Sequence, residues 1–192
     1  MPIETAIVPG QGDFAFEAPG LVNPVRFGRT AESLVTIDTV AGPLVFGLQG
    51  ATLSEPVLED GVVRYAQVFT GVDLEFRTDD GRLGKHFVLA DAKARQDFRL
   101  TIHDPEHTLG EPSRDEGGAW QFENWVAYGT GLELPAPAAW TQTGDRVVGL
   151  PGSAHQEVTV TSTGYEVRLE LDRAWADEAE FPVVLDPAVE WY

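Results

Sequence analysis

The fold is decided by a stretch near the C-terminus that reads Tyr165-Glu166-Val167-Arg168-Leu169-Glu170-Leu171. Apolar and charged side chains alternate at every position of this stretch. Because successive side chains of a β-strand point to opposite faces of the sheet, the alternation predicts a strand with one buried and one solvated face. The sequence Ser162-Thr163-Gly164 favours a turn immediately before it, so we expect the strand to pair with residues 158–161.

Similar alternating runs extend over most of the chain. One run carries Val72, Leu74 and Phe76, a second carries Leu83, Phe87 and Leu89, and Asp79-Asp80-Gly81 lies between them. Glycine supplies the positive φ of a tight turn, so these two runs predict a hairpin. Further strands are predicted at residues 14–17, 25–28, 34–39, 44–48, 62–68 and 98–102. Many short strands separated by glycine and proline favour an antiparallel sandwich.

The one helix that we predict covers residues 173–180, with Asp172 as its N-terminal cap. Pro182 ends it, and residues 181–185 resume as a strand. The predicted fold class is therefore all-β: one or more antiparallel β-sandwiches of many short strands, with a short helix near the C-terminus. The 192 residues predict a single β-rich unit, or two packed lobes covering about 1–61 and 62–192.

The inward positions of these strands, together with apolar residues around the helix, define the predicted core. Its members are Tyr65, Leu74, Phe76, Phe87, Phe98, Leu100, Ile102, Trp120, Phe122, Val167, Leu169, Trp175, Phe181 and Val183.

The charge balance excludes one class of partner. Lysine and arginine number 13 and aspartate and glutamate 31, which gives a net charge of −18. A chain this acidic repels nucleic acid, so we expect it not to bind DNA or RNA. The sequence has no run of about 18 apolar residues, so we expect no membrane insertion. It also has no cysteine and does not start with a signal peptide.

Two motifs carry residue types that are found in chemical sites. The run His103-Asp104-Pro105-Glu106-His107 carries metal-ligand residue types, but the central proline favours a turn after a strand. Ser153 lacks the flanking glycines of a nucleophile elbow. We therefore predict no catalytic residue, no metal, no cofactor and no enzymatic activity. A hydrolase, or a module that cleaves itself at an Asp-Pro bond, remains an alternative.

Aromatic residues supply the candidate binding positions. Trp125 and Trp140 lie near predicted loops, where a tryptophan facing solvent is able to contact a carbohydrate. The segment after Asp186-Pro187 alternates again and ends in two aromatic residues. We expect Val189, Trp191 and Tyr192 to form an interface, either with an edge strand of the same sheet or with a neighbouring copy or partner.

Several phrases resemble a known kind of protein region. They are Val63-Arg64-Tyr65-Ala66-Gln67-Val68-Phe69-Thr70-Gly71-Val72-Asp73-Leu74, then Lys85 with the apolar strand after it, Leu134-Pro135-Ala136-Pro137, and Trp175 followed by Phe181-Pro182-Val183-Val184-Leu185-Asp186-Pro187. In this order they resemble the β-rich region that precedes DNRLRE-type or Rhs/YD-repeat segments in bacterial secreted, wall-associated or polymorphic-toxin-like proteins. Ala176 and Gly84 depart from the usual residues of that pattern.

The resemblance implies a surface-displayed module that is not an enzyme. The expected function is a structural or adhesion-type β-sandwich that mediates protein–protein assembly, with a protein partner or by self-association. The expected location is extracellular or at the cell surface, with a virion surface as the alternative. A carbohydrate-binding module with a glycan partner remains the rival function.

Overall fold

The computed structural model describes residues 6–79, 82–124, 132–142 and 152–191. They form two antiparallel sheets and a short helix, which confirms the predicted all-β fold class. In chain order the strands are β1 (Val8–Pro9), β2 (Phe14–Ala18), β3 (Val25–Gly28), β4 (Val35–Thr39), β5 (Gly42–Leu48), β6 (Val57–Glu59), β7 (Val62–Phe69), β8 (Val72–Asp79), β9 (Arg82–Leu89), β10 (Asp97–His103), β11 (Pro112–Arg114), β12 (Trp120–Phe122), β13 (Leu132–Leu134), β14 (Ala138–Thr141), β15 (Ala154–Thr161), β16 (Gly164–Leu171), β17 (Val183–Asp186) and β18 (Val189–Trp191); the helix α1 covers Arg173–Glu178.

The first sheet, sheet A, has the strand order β1-β2-β3-β4-β5-β10-β16-β15. Its C-terminal hairpin is the predicted one, because β15 and β16 pair in register from Ala154 opposite Leu171 to Thr161 opposite Gly164. Strand β10 then joins this hairpin to the meander formed by the first five strands.

The second sheet, sheet B, has the order β11-β12-β13-β18-β9-β8-β7-β6, and β17 pairs with both β9 and β14. The predicted hairpin is present here as well, since β8 and β9 pair from Val72 opposite Leu89 to Asp79 opposite Arg82. Strands β17 and β18 lie one after the other along the same edge of β9.

The core lies between the two sheets and contains apolar side chains from both. Phe27 of sheet A contacts Phe76 of sheet B, with 5.4 Å between the ring centroids. Tyr65 of sheet B donates a hydrogen bond of 2.7 Å to the carbonyl of Gly28 in sheet A. Residues from both sides of position 61 contribute to this core, while the choice between one unit and two lobes stays a prediction.

Most of the predicted core is buried, with two exceptions near the helix. Trp175 and Phe181 are only half-buried and pack against the edge of the core. The helix also ends two residues before the predicted boundary, because Ala179 already has extended backbone angles ahead of Pro182. In the described part of the chain, no helix has the length and apolar character needed to span a bilayer.

Candidate functional site

An aromatic and charged cluster lies on the outer face of sheet B, at one edge of β9. We call it the Trp140 patch and define it by Trp140, His86, Asp186, Arg82 and Glu190. The strands bring these residues together because β17 pairs with β9 on one side and with β14 on the other. Inward-facing Phe87 and Leu185 alternate with outward-facing members of the patch, so the patch faces away from the core.

The patch is held together by contacts around one carboxylate. Asp186 Oδ2 lies 3.2 Å from Arg82 Nη2 and 3.7 Å from His86 Nε2. The His86 ring meets the Trp140 ring edge-on, with 5.4 Å between centroids. Arg82 Nε also lies 3.4 Å from Glu190 Oε1. The Arg82 side chain is 45% exposed and that of Asp186 14%, so the guanidinium faces solvent above a nearly buried acid.

The second oxygen of Asp186 is a further feature of the patch. Asp186 Oδ1 is buried and has no hydrogen-bond donor among the described residues. Buried carboxylate oxygens are normally paired with donors, so this atom retains hydrogen-bonding capacity. The patch therefore combines an aromatic ring, a guanidinium, an imidazole and a carboxylate whose acceptor capacity is only partly used.

A row of polar and charged side chains continues from the patch across sheet B. His86 faces Glu75 on the neighbouring strand, and Glu75 faces Arg64 on the next. Glu75 Oε1 accepts hydrogen bonds of 2.8 and 3.1 Å from Arg64, and its other oxygen lies 3.7 Å from Arg77. On the outer face the Glu75 carboxylate thus lies between the Arg64 guanidinium and the His86 imidazole, which contacts Trp140.

Lys85 lies on the opposite face of β9, inside the core. It is 5% exposed, and its Nζ lies 5.6 Å from the centroid of the Phe46 ring. Burial lowers the pKa of Lys85 to about 8, while the nearby charge of Asp186 raises it. Lys85 is one of the residues that carry the resemblance, and the structure places it on the face of β9 opposite the Trp140 patch.

The structure places the predicted binding residues in different environments. Trp140 is half-buried in β14 and belongs to the patch. Trp125 and Tyr192 lie outside the described residues. Trp191 pairs through its backbone with Leu132, and Val189 is completely buried opposite Leu83. The intramolecular alternative is therefore the one seen for Val189, whose side chain is not accessible to a partner.

The His103–His107 motif forms a turn, as the central proline predicts. Asp104 is buried and accepts hydrogen bonds from the Thr108 hydroxyl at 2.9 Å and the Leu109 backbone at 3.0 Å. His107 Nε2 lies 2.7 Å from the carbonyl oxygen of Thr161. Among the described residues, no group of three or more potential ligands is arranged to hold a metal ion.

Ser153 and its neighbours form structural contacts. Ser153 is buried, and its hydroxyl accepts a hydrogen bond of 2.8 Å from the Ala139 backbone. His155 Nε2 lies 2.9 Å from Asp172 Oδ2, and the same carboxylate caps the helix through the Trp175 N–H at 3.0 Å. The hydrogen bond from His155 is the main reason why the pKa of Asp172 is lowered.

Sequence reasoning identified Trp140 but missed the rest of the patch. The sequence patterns assign no binding role to Asp186, Arg82, His86 or Glu190. Strand parity does place Arg82 and His86 on one face of β9, and this was the available signal. Their proximity to Trp140 depends on the pairing of β9 with β17, which no local pattern encodes. No family model and no curated protein matches the chain.

Proposed function

We propose that the chain is a non-enzymatic structural or adhesion-type β-sandwich module that mediates protein–protein assembly on a bacterial or viral surface. The observation that carries this proposal is the arrangement of the exposed Arg82 and of His86 around the Asp186 carboxylate, with the Trp140 ring against that of His86. Tryptophan and arginine are enriched among the residues that dominate protein–protein binding energies. The resemblance to regions of bacterial surface proteins supports the same function and an extracellular location.

The scaffold around the patch suits this role. Each patch residue on β9, β17 or β18 is fixed by backbone pairing within sheet B, so little conformational freedom is lost when a partner binds. Asp186 holds the Arg82 guanidinium at 3.2 Å, which positions a long side chain before the partner arrives. The charged side chains of Arg64, Glu75 and Arg77 next to the patch would select the orientation of that partner.

Site-specific photocrosslinking in the source cells tests the proposal. A photoreactive amino acid replaces Arg82 in one variant and Glu157 in the control, since Glu157 is exposed on sheet A, away from the patch. We expect a discrete protein adduct from position 82 that competition with unlabelled parent protein abolishes, and none from position 157. No adduct from position 82, or the same adducts from both positions, would contradict the proposal.

Carbohydrate binding by the same patch is the second candidate. The half-buried ring of Trp140 beside hydrogen-bonding groups of His86, Asp186 and Arg82 favours it, because sugars stack on aromatic rings and hydrogen-bond to polar neighbours. A glycan array with the parent, Trp140→Ala and Trp175→Ala separates the two functions. Binding that only Trp140→Ala abolishes would favour the glycan, and an empty array would favour the protein partner.

A further inference from the structure

A groove on the outer face of sheet A faces away from the Trp140 patch. It has a volume of about 670 Å³ and lies between residues 31–33 on one side and the β15–β16 turn on the other. The floor is formed by β5, β10 and β16. We call it the Glu166 groove; its polar lining includes Glu32, Gln49, Thr101, Thr161, Thr163 and Glu166.

Gly47 allows one wall of the groove to form. A Cβ atom at this position would lie 2.6 Å from the Thr101 hydroxyl oxygen and 3.0 Å from the carbonyl oxygens of both Ala31 and Glu32. Any larger residue would therefore push residues 31–33 away from the sheet. The Leu48 backbone N–H donates a hydrogen bond of 2.8 Å to the Ala31 carbonyl, which holds this wall in place.

The carboxylate oxygens in the lining of the groove suit the binding of a cation. Glu166 lies between Thr101 and Thr159 in the register of sheet A, and its side chain is half-buried. Glu32, which is exposed, supplies a second carboxylate from the wall formed by residues 31–33. In the described part of the chain neither carboxylate has an ion-pair partner, no lysine or arginine lines the groove, and the imidazole of His103 lines it beside the two carboxylates. Arg168, two residues along β16 from Glu166, lies 3.5 Å from Glu170 instead.

We propose that the Glu166 groove binds the guanidinium group of an arginine side chain presented by an extended segment of the partner protein. A guanidinium has five N–H donors in one plane and no acceptor. It therefore matches a groove with one carboxylate on its floor, a second on a wall, and hydroxyl and amide oxygens in the same lining. The net charge of −18 attracts a basic segment and repels a second copy of the chain. This partner chemistry rests on the assembly function proposed above and extends it to a second surface.

Peptide titrations followed by amide NMR test the proposal. The probe is a capped glycine-serine peptide with one central arginine, and the control peptide carries citrulline, which has nearly the same shape but no charge. We expect the arginine peptide to shift the amide signals of Thr101, Thr163 and Glu166, and the citrulline peptide to leave them unchanged. Equal shifts with both peptides, or none with the arginine peptide, would overturn the proposal.

Two matched charge variants locate the binding. Glu166→Gln removes a groove carboxylate, whereas Glu157→Gln removes an exposed carboxylate of the same hairpin outside the groove. Because Glu166→Gln removes a hydrogen bond between charged groups, we expect it to weaken the affinity for the arginine peptide about tenfold. We expect little change in that affinity for Glu157→Gln. Equal losses would show that only the overall charge attracts the peptide. Spermidine that displaced the peptide with equal affinity would also overturn the preference for guanidinium.

The proposals for the Trp140 patch and for the Glu166 groove can be rejected independently, because the two surfaces lie on different sheets. Trp140→Ala should leave the affinity for the arginine peptide unchanged, and Glu166→Gln should leave the adduct from position 82 intact. A missing peptide response together with a clear adduct from position 82 would reject the groove alone. A peptide response without that adduct would reject the Trp140 patch as the assembly surface and retain the groove.

Discussion

The ring of Phe87 stacks on the ring of Phe98, with 4.2 Å between the centroids and 14° between the ring planes. Phe87 belongs to sheet B and Phe98 to sheet A, and both are completely buried. The pair therefore connects the two layers at the centre of the sandwich. Phe69 extends the contact from sheet B, with its ring centroid 5.8 Å from that of Phe98.

Removing either ring should destabilise the fold strongly. We expect Phe87→Ala or Phe98→Ala to lower the free energy of unfolding by about 3–5 kcal/mol, because each leaves a cavity between the sheets. The double variant should lose less than the sum of the two, by about 1 kcal/mol, because stacked rings are coupled. Urea unfolding measures all three. Val40→Ala is the control, since Val40 is 83% exposed. If the losses in unfolding free energy of the two phenylalanine variants were strictly additive in the double variant, the rings would not be coupled.

Local alternation was sufficient to predict most of the fold. The parity of Phe98, Leu100 and Ile102 gave the buried face of β10, and both predicted hairpins are present. The sequence does not show that β10 joins the C-terminal hairpin to the N-terminal strands, because that pairing links residues about 50 to 70 positions apart. The Trp140 patch depends on such long-range pairing too, which explains why only its tryptophan was predicted.

The stability of the protein should rise between pH 8 and pH 10. Burial lowers the pKa of Lys85 to about 8, whereas in the unfolded chain it is 10.5. In this window the unfolded chain binds a proton that the folded chain does not, so the free energy of unfolding increases with pH. Two pH units correspond to about 2–3 kcal/mol.

Urea unfolding at several pH values checks the gain attributed to Lys85, with Lys85→Met as the control that should lack it. The increase of stability with pH should end near pH 10, where tyrosines of the unfolded chain begin to lose their protons. In the folded chain, burial raises the pKa of Tyr65, and it raises that of Tyr165 to about 12. Unfolded tyrosines lose their protons first, and stability then falls. The Lys85 argument would fail if the parent and Lys85→Met showed the same pH dependence between pH 8 and pH 10.

Asp172 should contribute to the stability of the helix through its carboxylate. It accepts the Trp175 N–H at 3.0 Å, and Asp172→Ala removes this cap together with the contact to His155. We expect a lower melting temperature and faster hydrogen exchange at the Trp175 amide. Asp172→Asn should preserve most of the protection, because asparagine is also a good cap. Because the pKa of Asp172 is lowered in the folded chain, the stability that its carboxylate contributes should be lost on acidification. Identical hydrogen exchange at the Trp175 amide in Asp172→Ala and Asp172→Asn would contradict the capping role.

The final prediction concerns β18, which connects two parts of sheet B. Strand β18 lies between β13 and β9, with Glu190 opposite Glu133 on one side and opposite Arg82 on the other. Strands β11, β12 and β13 reach β9 only through β18 in the described sheet order. Val189 is completely buried, so its side chain adds to the core as well as to the ladder.

Deletion of residues 188–192 should therefore lower the melting temperature and expose the edge of β9 that β18 covers. We expect Val189→Ala to have the same direction and a smaller effect, since it keeps the backbone pairing and removes only buried methyl groups. Thermal unfolding and sedimentation velocity together distinguish an intramolecular strand from a docking segment. A docking segment would change the sedimentation coefficient with no loss of stability in the monomer. An internal strand lowers stability even in dilute monomer, and a newly exposed β9 edge then favours aggregation rather than the loss of an association.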